Sequence, residues 1–303
     1  GEDKSPIQGL DIEVSEGNVL HPDSLRRAFS GVDRVYHLAG IISIMPGPNP
    51  MMWKVNVEGT KNVIEAALQA GVKRMVYTSS IHALKRAPHG VLIDEKLPFD
   101  PQSPAGEYDR TKAAASIEVL KAVRERGLDA VIVCPTGVIG PHDWRISEMG
   151  SLISSWMKRG MHFLIDGAFD FVDVRDVVAA HILACEKGRN GETYLIAGQQ
   201  ISLVTLNDLV QKTLGIHSLV VRIPLTLAKT IAPITTFYYR FTREKPKFTS
   251  YSIQTVLENS RISIDKARRE LGYFPRSMSD TIRDTVLWWK DNFHLLSRMV
   301  REN

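Results

Sequence analysis

The 303 residues include only two cysteines, Cys134 and Cys185. Two cysteines cannot build a disulfide framework, and their separation fits no metal-binding spacing. Each sits in an apolar run, so buried free thiols are expected, and a reducing, cytoplasmic setting suits them. No apolar stretch reaches the length of a bilayer span, so no membrane partner is expected. Charge of one sign is also missing: 38 Lys and Arg stand against 34 Asp and Glu. There is no block of like charges and no basic stripe interleaved with aromatics, which argues against nucleic acid as a partner. A local cluster of Arg240, Arg243, Lys245 and Lys247 reads as a solvated loop. The nine histidines never fall at a His-x-x-x-His spacing, so no metal is expected. Finally, no Gly-x-Gly-x-x-Gly or Gly-x-x-Gly-x-x-Gly lies between a strand and a helix, where a dinucleotide pyrophosphate would bind.

What is present reads as an ordinary globular chain, 44% hydrophobic and 24% charged. Residues 10–14 alternate like a strand. His21-Pro22-Asp23 opens a helix, and 34–39 form a second strand. A helix over 50–70 closes at Gly71, and 73–79 form a third strand. A proline-rich loop follows, with Pro88, Pro98, Pro101 and Pro104, and then a helix from Tyr108 to about Gly127. Strands at 129–134 and 193–197 complete the pattern. Strands alternating with helices predict βαβ units and a parallel sheet covered on both faces. Residues 142–172 are mixed, 174–187 form a helix, and 203–303 read as mainly helical, broken by Pro224, Pro233, Pro246 and Pro275. The expected division is a sheet domain of residues 1–141 plus 172–198 and a second lobe of 142–171 plus 199–303. Gly137-x-x-Gly140 reads as a turn. Tyr238-Tyr239-x-Phe241 and Trp288-Trp289 read as packing of the second lobe.

The chemistry centres on Tyr108-Asp109-Arg110-Thr111-Lys112, preceded by the pair Ser79-Ser80 at the end of an apolar run. Tyr and Lys four residues apart share one helix face. An ammonium beside a phenol favours the phenolate and lowers the Tyr pKa. A tyrosine tuned in this way can exchange a proton with a substrate oxygen near neutral pH, and a serine hydroxyl brought beside it can hold that oxygen. This is carbonyl–alcohol oxidoreductase chemistry if a hydride carrier lies alongside.

Several motifs together resemble the extended short-chain dehydrogenase/reductase superfamily, more narrowly its dihydroflavonol-reductase-like and NAD-dependent epimerase/dehydratase branch. They are Val76-Tyr77-Thr78-Ser79-Ser80, Tyr108-x-x-x-Lys112, His37-Leu38-Ala39-Gly40, Asn56-Val57-Glu58-Gly59-Thr60, Cys134-Pro135-Thr136-Gly137-Val138-Ile139-Gly140-Pro141, Phe171-Val172-Asp173-Val174-Arg175-Asp176-Val177 and Leu271-Gly272-Tyr273-x-Pro275. The resemblance covers nearly the whole chain after residue 10. It implies a Rossmann-type, doubly wound parallel sheet with a smaller, mostly helical C-terminal substrate lobe. It also implies NAD or NADP as cofactor, and a homodimer is compatible with it. By the family pattern the catalytic set is Ser80, Tyr108 and Lys112, with Ser79 the less favoured serine. The implied cofactor contacts are Asn18, Val19, Leu38, Ala39, Gly40, Asn56, Thr78, Tyr108, Lys112, Pro135, Thr136, Gly137 and Val138. The implied substrate contacts are Ser80, His82, Tyr108 and His142, with Asp143 and Arg145 beside the last.

Two departures stand out. Gly17-Asn18-Val19 replaces the usual Gly-Asp-Val/Ile/Leu, and an amide can accept or donate where the acid only accepts. The family's opening strand, glycine-rich turn, helix and second strand have no counterpart, and the chain opens at Gly1. In a 3-2-1-4-5-6 order those strands would lie between 10–14 and 34–39, so segment 10–14 is expected to lack a sheet neighbour, and the chain is expected to be incomplete at its front. Three functions follow. The leading one is an NAD(P)-dependent oxidoreductase acting on a small, largely apolar carbonyl or alcohol. The second is a nucleotide-sugar epimerase or dehydratase using Arg222, Arg240 and Arg243 for a diphosphate. The third is a non-catalytic dinucleotide sensor on the same fold.

Overall fold

The computed structural model describes residues 5–43, 47, 49–224, 227 and 259–293. In chain order they form α1 (Pro22–Ala28), β1 (Arg34–His37), α2 (Pro50–Trp53), α3 (Gly59–Gln69), β2 (Arg74–Thr78), α4 (Glu107–Arg126), β3 (Ala130–Pro135), β4 (Gly137–Ile139), α5 (Glu148–Trp156), β5 (Met161–Ile165), β6 (Ala168–Asp173), α6 (Val174–Lys187), β7 (Thr193–Ile196), β8 (Gln199–Ser202), α7 (Leu203–Leu214), β9 (Leu219–Ile223), α8 (Asp265–Leu271) and α9 (Met278–Asp291).

The main sheet has the order β1-β2-β3-β7, and every neighbouring pair is parallel. All six residues of β3 are buried, as a strand with cover on both faces requires. Its alternate residues feed two cores. Ala130, Ile132 and Cys134 pack with α3 and α4 residues such as Val63 and Val119. Val131 and Val133 pack with α6 and α8 residues such as Ala180 and Leu271. Helices therefore cover both faces, the Rossmann-type arrangement expected, and both cysteines are buried and free.

Segment 10–14 is not a strand. Leu10, Ile12 and Val14 are 59%, 53% and 50% exposed, and no ladder forms. Alternation alone does not make a strand; it needs a neighbouring strand, and none lies beside this segment among the described residues, where the Leu10 and Ile12 amides bond only to nearby carbonyls. The helix expected over 50–70 is interrupted by a π turn at Lys54–Glu58. Gly137-x-x-Gly140 is not only a turn. Gly137–Ile139 is a strand that pairs in parallel with Phe171–Asp173, and β6 in turn pairs antiparallel with β8. Gly137 permits this close approach, because a Cβ there would lie 2.7 Å from the Phe171 ring. The mostly helical lobe also contains β9, which pairs in parallel with β5. Of the expected lobe features, Tyr238-Tyr239-x-Phe241, the 240–247 cluster and Pro233 and Pro246 lie outside the described residues. Trp289 is fully buried as expected, and Trp288 packs edge-on against it at 4.9 Å.

The start of α6 is tied to α9 and to the residues just before it. Asp173 caps the helix by accepting from the Arg175 amide, and Arg175 also spans Asp173 and Asp284 of α9 at 2.7 and 2.8 Å. Arg276 donates to Asp176 through both its backbone and its side chain, each at 2.8 Å. Although burial works against ionisation, the Arg175 bonds hold the Asp173 carboxyl below the usual carboxylate range.

Candidate active site

The carboxyl ends of β1, β2 and β3 converge beside the N-terminal turns of α4, and the site is assembled there. β2 ends at Thr78, and the next two residues turn their hydroxyls to different partners. Ser79 Oγ lies 2.7 Å from Ser116 Oγ, which itself donates to the Lys112 carbonyl, so Ser79 joins the sheet to α4. Ser80 caps the turn Ile81–Ala83 by accepting from the His82 amide at 3.2 Å, and its hydroxyl lies close enough to the Tyr108 phenol to favour the ionised form. The geometry thus separates the two serines, and Ser80 is the one beside the tyrosine.

Tyr108 and Lys112 sit on the buried face of α4. Burial pushes the phenol up to about 12, partly offset by the neighbouring Ser80 hydroxyl. The lowering expected from Lys112 is not seen. The Lys112 ammonium instead donates to the Thr78 carbonyl at 2.6 Å and sits 5.1 Å above the Tyr77 ring. Burial brings Lys112 down to about 8. Burial and the nearby Lys112 charge bring His37 down to about 3, so that imidazole is neutral, and it shares a 2.9 Å contact with Thr60 Oγ1.

Asn56 lies in the π turn, and this irregular turn lets its amide reach out of the helix. It accepts from the Ile41 amide at 2.7 Å and donates to the Ile41 carbonyl and Thr111 Oγ1 at 3.0 and 3.1 Å. The loop after β1 is thereby pinned beside α4. Gly40 is the point of closest approach, where a Cβ would lie 3.3 Å from Asn56 Oδ1 and 3.5 Å from Lys112 Nζ. Leu38, Ala39 and Gly40 are exposed. Asn18 is also exposed, and its side-chain oxygen accepts from Leu20 in a local turn; the Val19 carbonyl accepts from Asn62 at 2.8 Å.

The Thr78 side chain points the other way, donating to His181 Nε2 of α6 at 2.7 Å. Pro135 ends β3, and Thr136 donates to the buried Asp170 at 2.7 Å, while Gly137 and the exposed Val138 continue into β4. His82 stacks face to face on Phe169 at 5.6 Å and meets Tyr108 edge-on at 6.3 Å, and burial lowers its pKa. His142 belongs to a different group. Its φ of 68° turns the loop, and its ring packs with Trp144 and Trp288 at 6.3 and 5.9 Å. Asp143 accepts from the Ser147 amide and hydroxyl, which fixes the approach to α5. His181 and Asp170 were not singled out by sequence reasoning; a histidine and an aspartate inside apolar elements carry no pattern of their own.

The arrangement can donate a proton from Tyr108, hold an oxygen with Ser80 and present a cation from Lys112. A flat ligand can also lie over the glycine floor at residue 40. These features fit the nicotinamide and ribose end of a dinucleotide; a glycine-rich turn for the pyrophosphate is not found among residues 1–303.

Comparison with known proteins agrees. The NAD dependent epimerase/dehydratase family matches residues 2–197. Sterol demethylase protein B of Methylococcus capsulatus is 36% identical over 95% of this chain and 88% of its own length. A putative dihydroflavonol 4-reductase of Synechocystis is 28% identical over 94% and 84%. The crystal structure of gox2253 superposes with a TM-score of 0.82 at 33% identity, covering 96% of this chain and 88% of that one. The chain therefore belongs to the NAD dependent epimerase/dehydratase family, within the extended short-chain dehydrogenase/reductase superfamily of NAD(P)-dependent enzymes.

Proposed function

We propose that this protein is an NAD(P)-dependent oxidoreductase that interconverts a secondary alcohol and its ketone on a largely apolar substrate. The observation that carries the reading is the placement of Ser80 at the end of β2 beside Tyr108 and Lys112 on the buried face of α4, with the Lys112 ammonium anchored at the Thr78 carbonyl. In the reductive direction Tyr108, protonated at neutral pH, donates to the substrate oxygen. Ser80 gives that oxygen a second hydrogen bond. Lys112, anchored at the Thr78 carbonyl, would hold the nicotinamide ribose. Gly40, Pro135, Gly137 and Val138 would lie along the cofactor, with Asn56 pinning the loop that carries Gly40. Leu38, Ala39, Asn18 and Val19 would lie on its adenosine side. Thr78 contributes its carbonyl to Lys112. The bound cofactor supplies or accepts the hydride.

A hollow beside His82 is lined by apolar Ile81, Leu84, Ile93, Phe169 and Ile262 together with Lys85, Arg86 and Asn259. The names of two relatives point to ring alcohols: sterol demethylase protein B, and 3beta-hydroxysteroid-dehydrogenase/decarboxylase isoform 1 of Arabidopsis thaliana, 30% identical over 87% of this chain and 63% of its own length. We therefore favour a sterol-like hydroxyl over a nucleotide sugar. Of the arginines considered for a diphosphate, Arg222 stands exposed on β9, and Arg240 and Arg243 lie outside the described residues.

The test is dinucleotide-dependent oxidation of a hydroxysterol panel by the natively expressed protein and its Tyr108→Phe variant. The variant should lose about a hundred- to ten-thousand-fold in turnover while binding cofactor within a few fold of wild type. Undiminished turnover in the variant would overturn the assignment.

A further inference from the structure

Lys112 is held by a cradle that the catalytic motif does not contain. Its ammonium donates to the Thr78 carbonyl at 2.6 Å and sits 5.1 Å over the Tyr77 ring, so two successive residues of β2 supply an acceptor and a π face. A charge-assisted bond and a cation–π contact are the two interactions that favour a buried ammonium over the neutral amine.

Thr78 is fixed in turn from the opposite face of the sheet. His181 of α6 is buried, and its Nδ1 lies 2.7 Å from the Val177 carbonyl. A carbonyl only accepts, so Nδ1 carries the proton. In the neutral ring Nε2 is then an acceptor, and it takes the Thr78 hydroxyl at 2.7 Å. Burial keeps the ring neutral by lowering its pKa. Val177, His181, Thr78 and Lys112 thus form one line of hydrogen bonds running from α6 through the sheet to α4.

Resting on the oxidoreductase reading above, we propose that His181 and Tyr77 are positioning residues for Lys112: His181 locks Thr78 so that its carbonyl meets the ammonium, and the Tyr77 ring forms the floor beneath it. Neither residue needs to touch substrate. The ionisable groups that face Lys112 are His37 from β1, Tyr77 from β2, Cys134 from β3 and Tyr108 one turn away on α4. His37 is neutral, and burial pushes the Cys134 thiol up to about 12. No anion among the described residues therefore stands ready to replace the cradle. Without it the charged form of Lys112 loses support, and the amine should titrate lower than its present value of about 8.

The experiment follows Lys112 by NMR of the full-length protein labelled at the lysine side-chain carbon, assigned with Lys112→Arg. His181→Leu and Tyr77→Leu should each lower the Lys112 pKa by about one unit. The alkaline limb of the kcat/KM profile should move down with it while KM for substrate stays within a few fold. His181→Gln, which can still accept from Thr78, and Tyr77→Phe, which keeps the ring, should restore wild-type titration. If His181→Leu does not fold, the paired replacement of His181→Leu with Thr78→Val removes donor and acceptor together and gives the same readout. An unshifted Lys112 in the Leu variants, or Gln and Phe variants as shifted as the Leu ones, would overturn the proposal. Tyr108→Phe, assayed in parallel, separates the two levels: if it stays active, the functional reading and this inference both fall, and if it is inactive while Lys112 titrates unchanged, only the inference falls.

Discussion

Along β7 and the residue after it, three outward polar groups are taken up by side chains. Lys266 donates to the Thr193 carbonyl at 2.7 Å, Glu95 accepts from the Leu195 amide at 3.0 Å, and Tyr273 donates to the Ala197 carbonyl at 3.0 Å. At the other edge, β1 pairs with β2 alone among the described strands, and Tyr36, Leu38 and Ile42 are exposed beside it. One edge is sealed by specific side chains; the other presents apolar surface. The proposed site straddles this difference. Ser80, Tyr108 and Lys112 are buried and bonded within the finished part of the sheet, whereas Leu38, Ala39 and Asn18, assigned to the adenosine side of a cofactor, stand in solvent. The side chains proposed for the chemistry are held in place, whereas those assigned to the far end of the dinucleotide stand in solvent.

Substitutions on the two sides should therefore differ in size. The largest effect belongs to the junction that supports the finished side. Asp173→Asn removes a carboxylate whose side chain is fully shielded and paired with Arg175, and should cost about 3 kcal/mol in unfolding free energy. Asp173 and Asp284 both titrate below their ordinary 3.8 in the folded state, Asp284 chiefly through its bond to Arg175. Their stabilisation is complete above that value and is lost as pH falls through the folded pKa. Urea midpoints of wild type should thus drop below about pH 4, and those of the Asn variant should drop less steeply. Next comes Ser80→Ala, expected to reduce kcat about a hundredfold through the lost bond to the substrate oxygen. Ser79→Ala should instead cost about 1 kcal/mol of stability, with turnover nearly intact. Of the same order is Glu95→Ala, which leaves the Leu195 amide without its acceptor and should cost about 1–2 kcal/mol. On the open side, Leu38→Ser should change stability by less than about 0.5 kcal/mol. Equal losses for Glu95→Ala and Leu38→Ser in thermal unfolding would erase the contrast between the edges.

Much of this was legible in the sequence because it rests on local pattern. The helix over 174–187 and the strands around 34–37, 74–78, 130–135 and 193–196 follow from apolar periodicity and flanking glycines. Tyr108 and Lys112 share a face because they are four residues apart. What could not be read depends on partners distant in the chain. Segment 10–14 has the alternation of a strand without a neighbour. β9 is a five-residue edge whose strand character comes from β5, some 50 residues earlier. The π turn at 54–58 exists where Asn56 reaches Ile41 and Thr111. The phenol of Tyr108 is raised rather than lowered because burial, invisible in a four-residue spacing, acts on it while Lys112 is turned to the Thr78 carbonyl.

The most direct test of the central claim is isotope transfer from a dinucleotide deuterated at its transferable position to a ketone substrate, measured by mass spectrometry with the natively expressed protein and with Tyr108→Phe. Deuterium in the product alcohol of the wild type, with little or none from the variant, is the predicted result. Equal labelling by the two proteins, or no labelling by either with ring ketones that the wild type binds, would contradict it.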